Sequence, residues 1–66
     1  QLPKRLKQYR LDAGLSQEDL ARRIFVTRQT ISNWERGKTY PDIQSLLLLS
    51  EQLDVTIDEL VKGDIQ

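Results

Sequence analysis

Residues 28–36 of this 66-residue chain include Arg28, Gln29, Ser32, Asn33 and Arg36. At the helical 100° per residue these five fall on one side, and Ile31 and Trp34 fall on the other with Thr27 and Thr30. The first side is a row of hydrogen-bonding groups suited to base edges. Arginine can donate two bonds to guanine O6 and N7, glutamine and asparagine can pair in the same way with adenine N6 and N7, and a threonine can touch a thymine methyl. Arg28, Gln29 and Asn33 are therefore the expected base readers, with Thr27 and Ser32 in support. Trp34 could stack on a base, but its phase with Ile31 assigns it to a core.

Other chemistries find little support. The chain has no Cys and no His, which excludes disulfide staples, Cys/His zinc sites, thiol nucleophiles and imidazole bases. It has no Gly-rich phosphate loop, and its acidic pairs, Glu18–Asp19 and Asp58–Glu59, are adjacent residues at helix starts that do not converge on a substrate. No enzyme activity, metal or cofactor is expected. The longest apolar run, Leu46 to Leu49, is far short of the roughly 20 residues of a membrane span, so membrane contact is not expected and a cytoplasmic location is. One domain over residues 1–66 is expected, and the opening Gln1 is consistent with a piece of a longer protein.

The formal net charge is zero, but its distribution is not even. Residues 1–40 carry nine basic and four acidic residues, a net of +5, and residues 41–66 carry one basic and six acidic, a net of −5. A basic portion can attract phosphates while an acidic one faces away.

No stretch sustains strand alternation, and helix punctuation recurs, so the fold reads as all-α. Pro3 suits a first helical turn, with Leu2, Leu6, Tyr9 and Ala13 as the inner face and Gly14 as the stop. Ser16 caps a second helix whose inner face is Leu20, Ala21 and Ile24, with acidic Glu18 and Asp19 at its positive end. Thr27 caps a third helix that stops at Gly37. Only Phe25, Val26 and Thr27 separate the second and third helices, the spacing of a helix-turn-helix. A fourth helix runs from Pro41 and Asp42 to about Leu53, with Ile43, Leu46, Leu47, Ser50 and Leu53 inward, Leu49 at the edge and Leu48 outward. Thr56 and Glu59 form a capping box for a short fifth helix ending before Gly63, and Val55, Ile57 and Leu60 close the base.

The runs Leu15–Ala21 (LSQEDLA), Val26–Lys38 (VTRQTISNWERGK), Pro41–Ile43 (PDI) and Leu53–Leu60 (LDVTIDEL) together resemble the phage repressor and Cro helix-turn-helix proteins, the XRE family of bacterial regulators. The resemblance covers about Leu6 to Gly63. It implies a compact bundle of five helices whose second and third form the helix-turn-helix, and a regulator, expected to be a repressor, that binds double-stranded DNA as a dimer on a pseudo-palindromic operator. Half-sites would lie about 34 Å apart, one helical turn. The dimer contact is expected around the loop before Pro41 and the start of the fifth helix. Two positions depart from the family. Phe25 stands where Gly is usual, so an adjusted turn with the ring covering the core is expected. Asp54 stands where Gly is common, and Asp tolerates the left-handed region.

By the same resemblance, Arg10 pairs with Glu35 as a structural ion pair, Gln17 touches phosphate and braces the recognition helix, and Lys38, Thr39 and Tyr40 run along the sugar-phosphate backbone beside Arg36. Arg22 and Arg23 read equally as phosphate contacts or as solvated charges. The competing class is a protein-interaction module, including an antitoxin that also binds a toxin protein. DNA binding that weakens steeply with salt separates the two.

Overall fold

Helices α1 (Leu2–Asp12), α2 (Gln17–Arg23), α3 (Arg28–Glu35), α4 (Ile43–Leu53) and α5 (Ile57–Val61) form the computed structural model of the chain, which describes residues 1–64. Among the described residues there is no strand, as the all-α reading expects. The four later helices start alike. Ser16, Thr27, Asp42 and Thr56 each accept a bond from the backbone N–H three residues on, satisfying a donor the helix cannot use. Asp19 returns the favour by accepting from the Ser16 N–H, which completes a capping box. Glu59 does not do the same for Thr56. Its carboxylate instead accepts from the Tyr9 hydroxyl at 3.2 Å, so the box expected at α5 is only half made.

Helix ends are also alike. The N–H groups of Leu15, Val26, Lys38 and Val55 reach back to the carbonyls of Arg10, Ala21, Asn33 and Ser50, at 2.9–3.1 Å. This closure needs the preceding residue in the left-handed region, and Gly14, Phe25, Gly37 and Asp54 have φ of 73°, 64°, 75° and 56°. Asp54 behaves as expected. Phe25 does not: the turn is unadjusted, and its ring is 86% exposed rather than laid over the core. A left-handed backbone at Phe25 directs its side chain outward, and Val26 packs against the core instead.

Core residues come from all five helices and the turn after α2: Leu2 and Leu6, Leu20, Ala21 and Ile24, Ile31 and Trp34, Leu46, Leu49 and Leu53, Leu60 and Val61. Each large aliphatic residue so buried stabilises the fold by about 1.5–3 kcal/mol. Two expected faces need correction. In α1 the buried stripe runs Leu2, Leu6, Arg10 at strict four-residue spacing, and Ala13 is exposed. In α4 the buried face is Leu46, Leu49 and Leu53, with Leu48 half-buried, whereas Ile43 and Leu47 are 67% and 51% exposed. Helix α3 packs on α1 and α2, and α5 packs on α4 and α1, so α1 lies against both the third helix and the fifth.

Candidate nucleic-acid interface

Ile31 and Trp34 anchor α3 by being buried, which turns its other side to solvent. Arg28, Gln29 and Arg36 are exposed there, and Ser32 and Asn33 are half-exposed. Thr27 stands at the head of the helix with its hydroxyl oxygen 3.1 Å from the Thr30 N–H and 2.9 Å from the Thr30 hydroxyl, so that oxygen serves the cap and its methyl is the freer group.

Beneath this surface lies a buried ion pair. Arg10 Nε donates to Glu35 Oε2 at 2.7 Å and its Nη2 to Oε1 at 3.1 Å, with side chains 8% and 4% exposed. Arg10 Nη1 donates to the Leu15 carbonyl at 2.8 Å, so the guanidinium also holds the loop before α2. Two parallel bonds of this kind fix orientation as well as distance. The pair forms as expected and ties α1 to the last turn of α3.

The Gln17 amide extends this cluster outward. Its Nε2 donates to Glu35 Oε1 at 3.1 Å, and its Oε1 accepts from Arg28 Nη1 at 3.4 Å. The residue expected to touch phosphate thus has a carboxylate on one side and a guanidinium on the other. Periodicity gave no sign of this link, because it joins residues on different helices. Further along α3, Gln29 Nε2 donates to Asn33 Oδ1 at 3.1 Å and Arg36 Nη2 to the same oxygen at 3.3 Å.

Lys38 and Thr39 are exposed directly after α3, their N–H groups held by the Asn33 carbonyl. Tyr40 departs from this group. Its hydroxyl donates to Asp64 Oδ2 at 3.2 Å, and desolvation raises its pKa above the ordinary tyrosine value. Asp64 Oδ2 also accepts from the Leu2 N–H at 2.7 Å, so Tyr40 is linked to the start of α1 and the end of the described chain. Arg22 bonds to Asp19 across one turn of α2 at 2.9 Å. The described residues contain no group of acidic residues able to hold a metal ion, and no helix long and apolar enough to cross a membrane.

Residues 6–60 match a family model described as helix-turn-helix. Among curated proteins, the chain is 47% identical over 60 residues to the HTH-type transcriptional activator BcrR of Enterococcus faecalis, and covers 91% of this chain and 29% of that protein. It is 42% identical over 59 residues to the SPbeta prophage-derived HTH-type transcriptional regulator YonR of Bacillus subtilis, with 89% and 55% covered. The chain therefore spans about half or less of these relatives. Among solved structures it is similar to the P22 c2 repressor protein in complex with synthetic operator 9T, with a TM-score of 0.90, 35% identity and 96% of each chain covered.

Proposed function

Because the chain belongs to the helix-turn-helix family, we propose that it is the DNA-binding part of a transcriptional regulator and reads double-stranded DNA with α3 in the major groove. The observation that carries this reading is the two-sided character of α3. Ile31 and Trp34 are buried, and every outward side chain is a hydrogen-bonding group that no packing demand explains. Arg28, Gln29 and Asn33 are the base readers, supported by Ser32 and the Thr27 methyl. Gln17, Arg36, Lys38 and Thr39 lie around them, where the sugar-phosphate backbone flanks a helix in the groove. Tyr40 is set apart from them, since its hydroxyl is held by Asp64.

Two copies bind one operator, their half-sites one helical turn apart. The named relatives include an activator and the structural neighbour is a repressor, so the direction of regulation follows from where the operator lies relative to a promoter. A cytoplasmic location goes with this role.

Binding to duplexes selected from a random pool tests the reading. Affinity should fall steeply with salt as phosphate contacts release counterions. Arg28→Ala should weaken binding to the selected site by about 1–3 kcal/mol and relax preference at one base position per half-site. Equal losses on selected and random DNA would reduce Arg28 to a phosphate contact. Inserting about five base pairs between half-sites puts them on opposite faces of the duplex and should abolish cooperativity. Unchanged affinity would mean a single site read by a monomer.

A further inference from the structure

The polarity of the recognition surface is set by two charges, the buried Glu35 carboxylate behind it and the exposed Arg36 guanidinium at its end. A guanidinium carries only donors, so the Asn33 atom that meets Arg36 is the carbonyl oxygen, Oδ1. That oxygen also accepts from Gln29 Nε2, which occupies both of its lone pairs. Asn33 is left with the two hydrogens of Nδ2, and is a donor only. Gln29 keeps one Nε2 hydrogen and a free Oε1, and can donate and accept together. On the other flank the Glu35 carboxylate has only acceptors, so Gln17 must turn Nε2 inward and Oε1 outward, where it takes one donor of Arg28 and leaves the rest. Along α3 the surface reads donor at Arg28, acceptor with donor at Gln29, donor at Asn33.

Resting on the DNA-reading role of α3, we propose that this polarity specifies the half-site. Guanine, with acceptors O6 and N7, faces Arg28. Adenine, with donor N6 and acceptor N7, faces Gln29. A base presenting acceptors, guanine or thymine, faces Asn33. The residue type alone would let Asn33 pair with adenine. To take adenine N6 and N7 together it must turn Oδ1 outward, which breaks the bond from Arg36 and sets Nδ2 against a group that has donors only. The Gln29 amide can turn with it, so the Arg36 guanidinium is what holds the orientation. Arg36 and Gln17 are thus positioning residues for specificity, acting through Asn33 and Arg28.

Selection from random duplexes, run with the wild-type chain, Asn33→Ala and Asn33→Asp, tests this. The base position that loses its preference in N33A is the one Asn33 faces, and the wild-type chain should enrich guanine or thymine there. N33D keeps an oxygen towards Gln29 and Arg36 but replaces the outward donor with an acceptor. It should shift that one position to cytosine or adenine by about 5- to 150-fold, the range of one good base contact. Arg36→Met, which frees Oδ1, should admit adenine at the same position. Wild-type enrichment of adenine or cytosine opposite Asn33, an unshifted preference in N33D, or an R36M loss that is uniform across all sequences overturns the proposal. A chain that enriches no sequence at all refutes the proposed function itself, a result distinct from enrichment of the wrong base.

Discussion

Glu35 Oε1 lies 3.1 Å from both Arg10 Nη2 and Gln17 Nε2, so one carboxylate oxygen joins the framework of α1 to the outward surface of α3. With its side chain 4% exposed, Glu35 cannot exchange these partners for water. Taking charges out of water costs several kcal/mol for each ion, and that cost is offset only while the partners remain.

Removing one partner should therefore be costly. Arg10→Met leaves Glu35 buried and uncompensated and should destabilise the fold by about 3–5 kcal/mol, measured by urea denaturation. The double change Arg10→Met with Glu35→Leu should recover most of that loss. Equal losses in the single and double variants would mean that packing of the Arg10 stem, rather than its charge, dominates.

Trp34→Ala should cost about 3–5 kcal/mol in the absence of DNA, enough to unfold so small a domain. The indole is 5% exposed and shares the core with Ile31. Circular dichroism of the free chain reads this directly. A folded, cooperative variant that had lost only DNA binding would place the indole on the reading surface after all.

Phe25→Gly should leave stability unchanged or raise it by up to about 1 kcal/mol. A left-handed conformation costs an L-residue about 1–2 kcal/mol, and glycine adds back about 0.4–1 kcal/mol of unfolded-chain entropy. The ring has no core contact to lose, being 86% exposed. A midpoint rise of up to several degrees in thermal melting is expected. A fall of that size would show that the ring packs on something.

Acid should weaken the fold through its helix caps. The Ser16 N–H and hydroxyl, and more weakly Arg22, hold the Asp19 carboxyl below the usual carboxylate range, and bonds from Ser45 do the same for Asp42. A carboxyl whose folded pKa is depressed binds fewer protons folded than unfolded, so its contribution is complete above the unfolded value and is lost as pH falls through the folded one. Urea midpoints should therefore decline below about pH 4. Asp42→Asn keeps a capping oxygen and removes the titration, so its acid decline should be shallower. An identical decline would assign the effect to other carboxyls.

The helix starts were legible because Ser16, Thr27, Asp42 and Thr56 act locally, through a side-chain oxygen and a backbone N–H three residues away. Faces were legible where apolar residues are sparse, as with Ile31 and Trp34. Four consecutive leucines, 46–49, point in nearly every direction around α4, so spacing alone could not choose Leu49 over Leu47. Arg10 broke the α1 stripe by its chemistry rather than its position, and the apolar pattern moved to Ala13 when the buried residue was a charged one. The site residues were legible as types, and the two charges that orient them were not legible as orienters. Links such as Gln17 to Glu35 depend on how separate helices meet, which no local pattern records.

The charge asymmetry between residues 1–40 and 41–66 gives the chain a separation of charge without a net charge. With equal numbers of positive and negative charges, it gains little net pull towards a distant polyanion. Within a Debye length, about 8 Å at physiological ionic strength, the field of a DNA duplex would instead favour approaches with the basic portion forward and the acidic one back. Encounters would then arrive already oriented, and added salt would slow productive association by randomising the approach before it weakened any contact in the final complex.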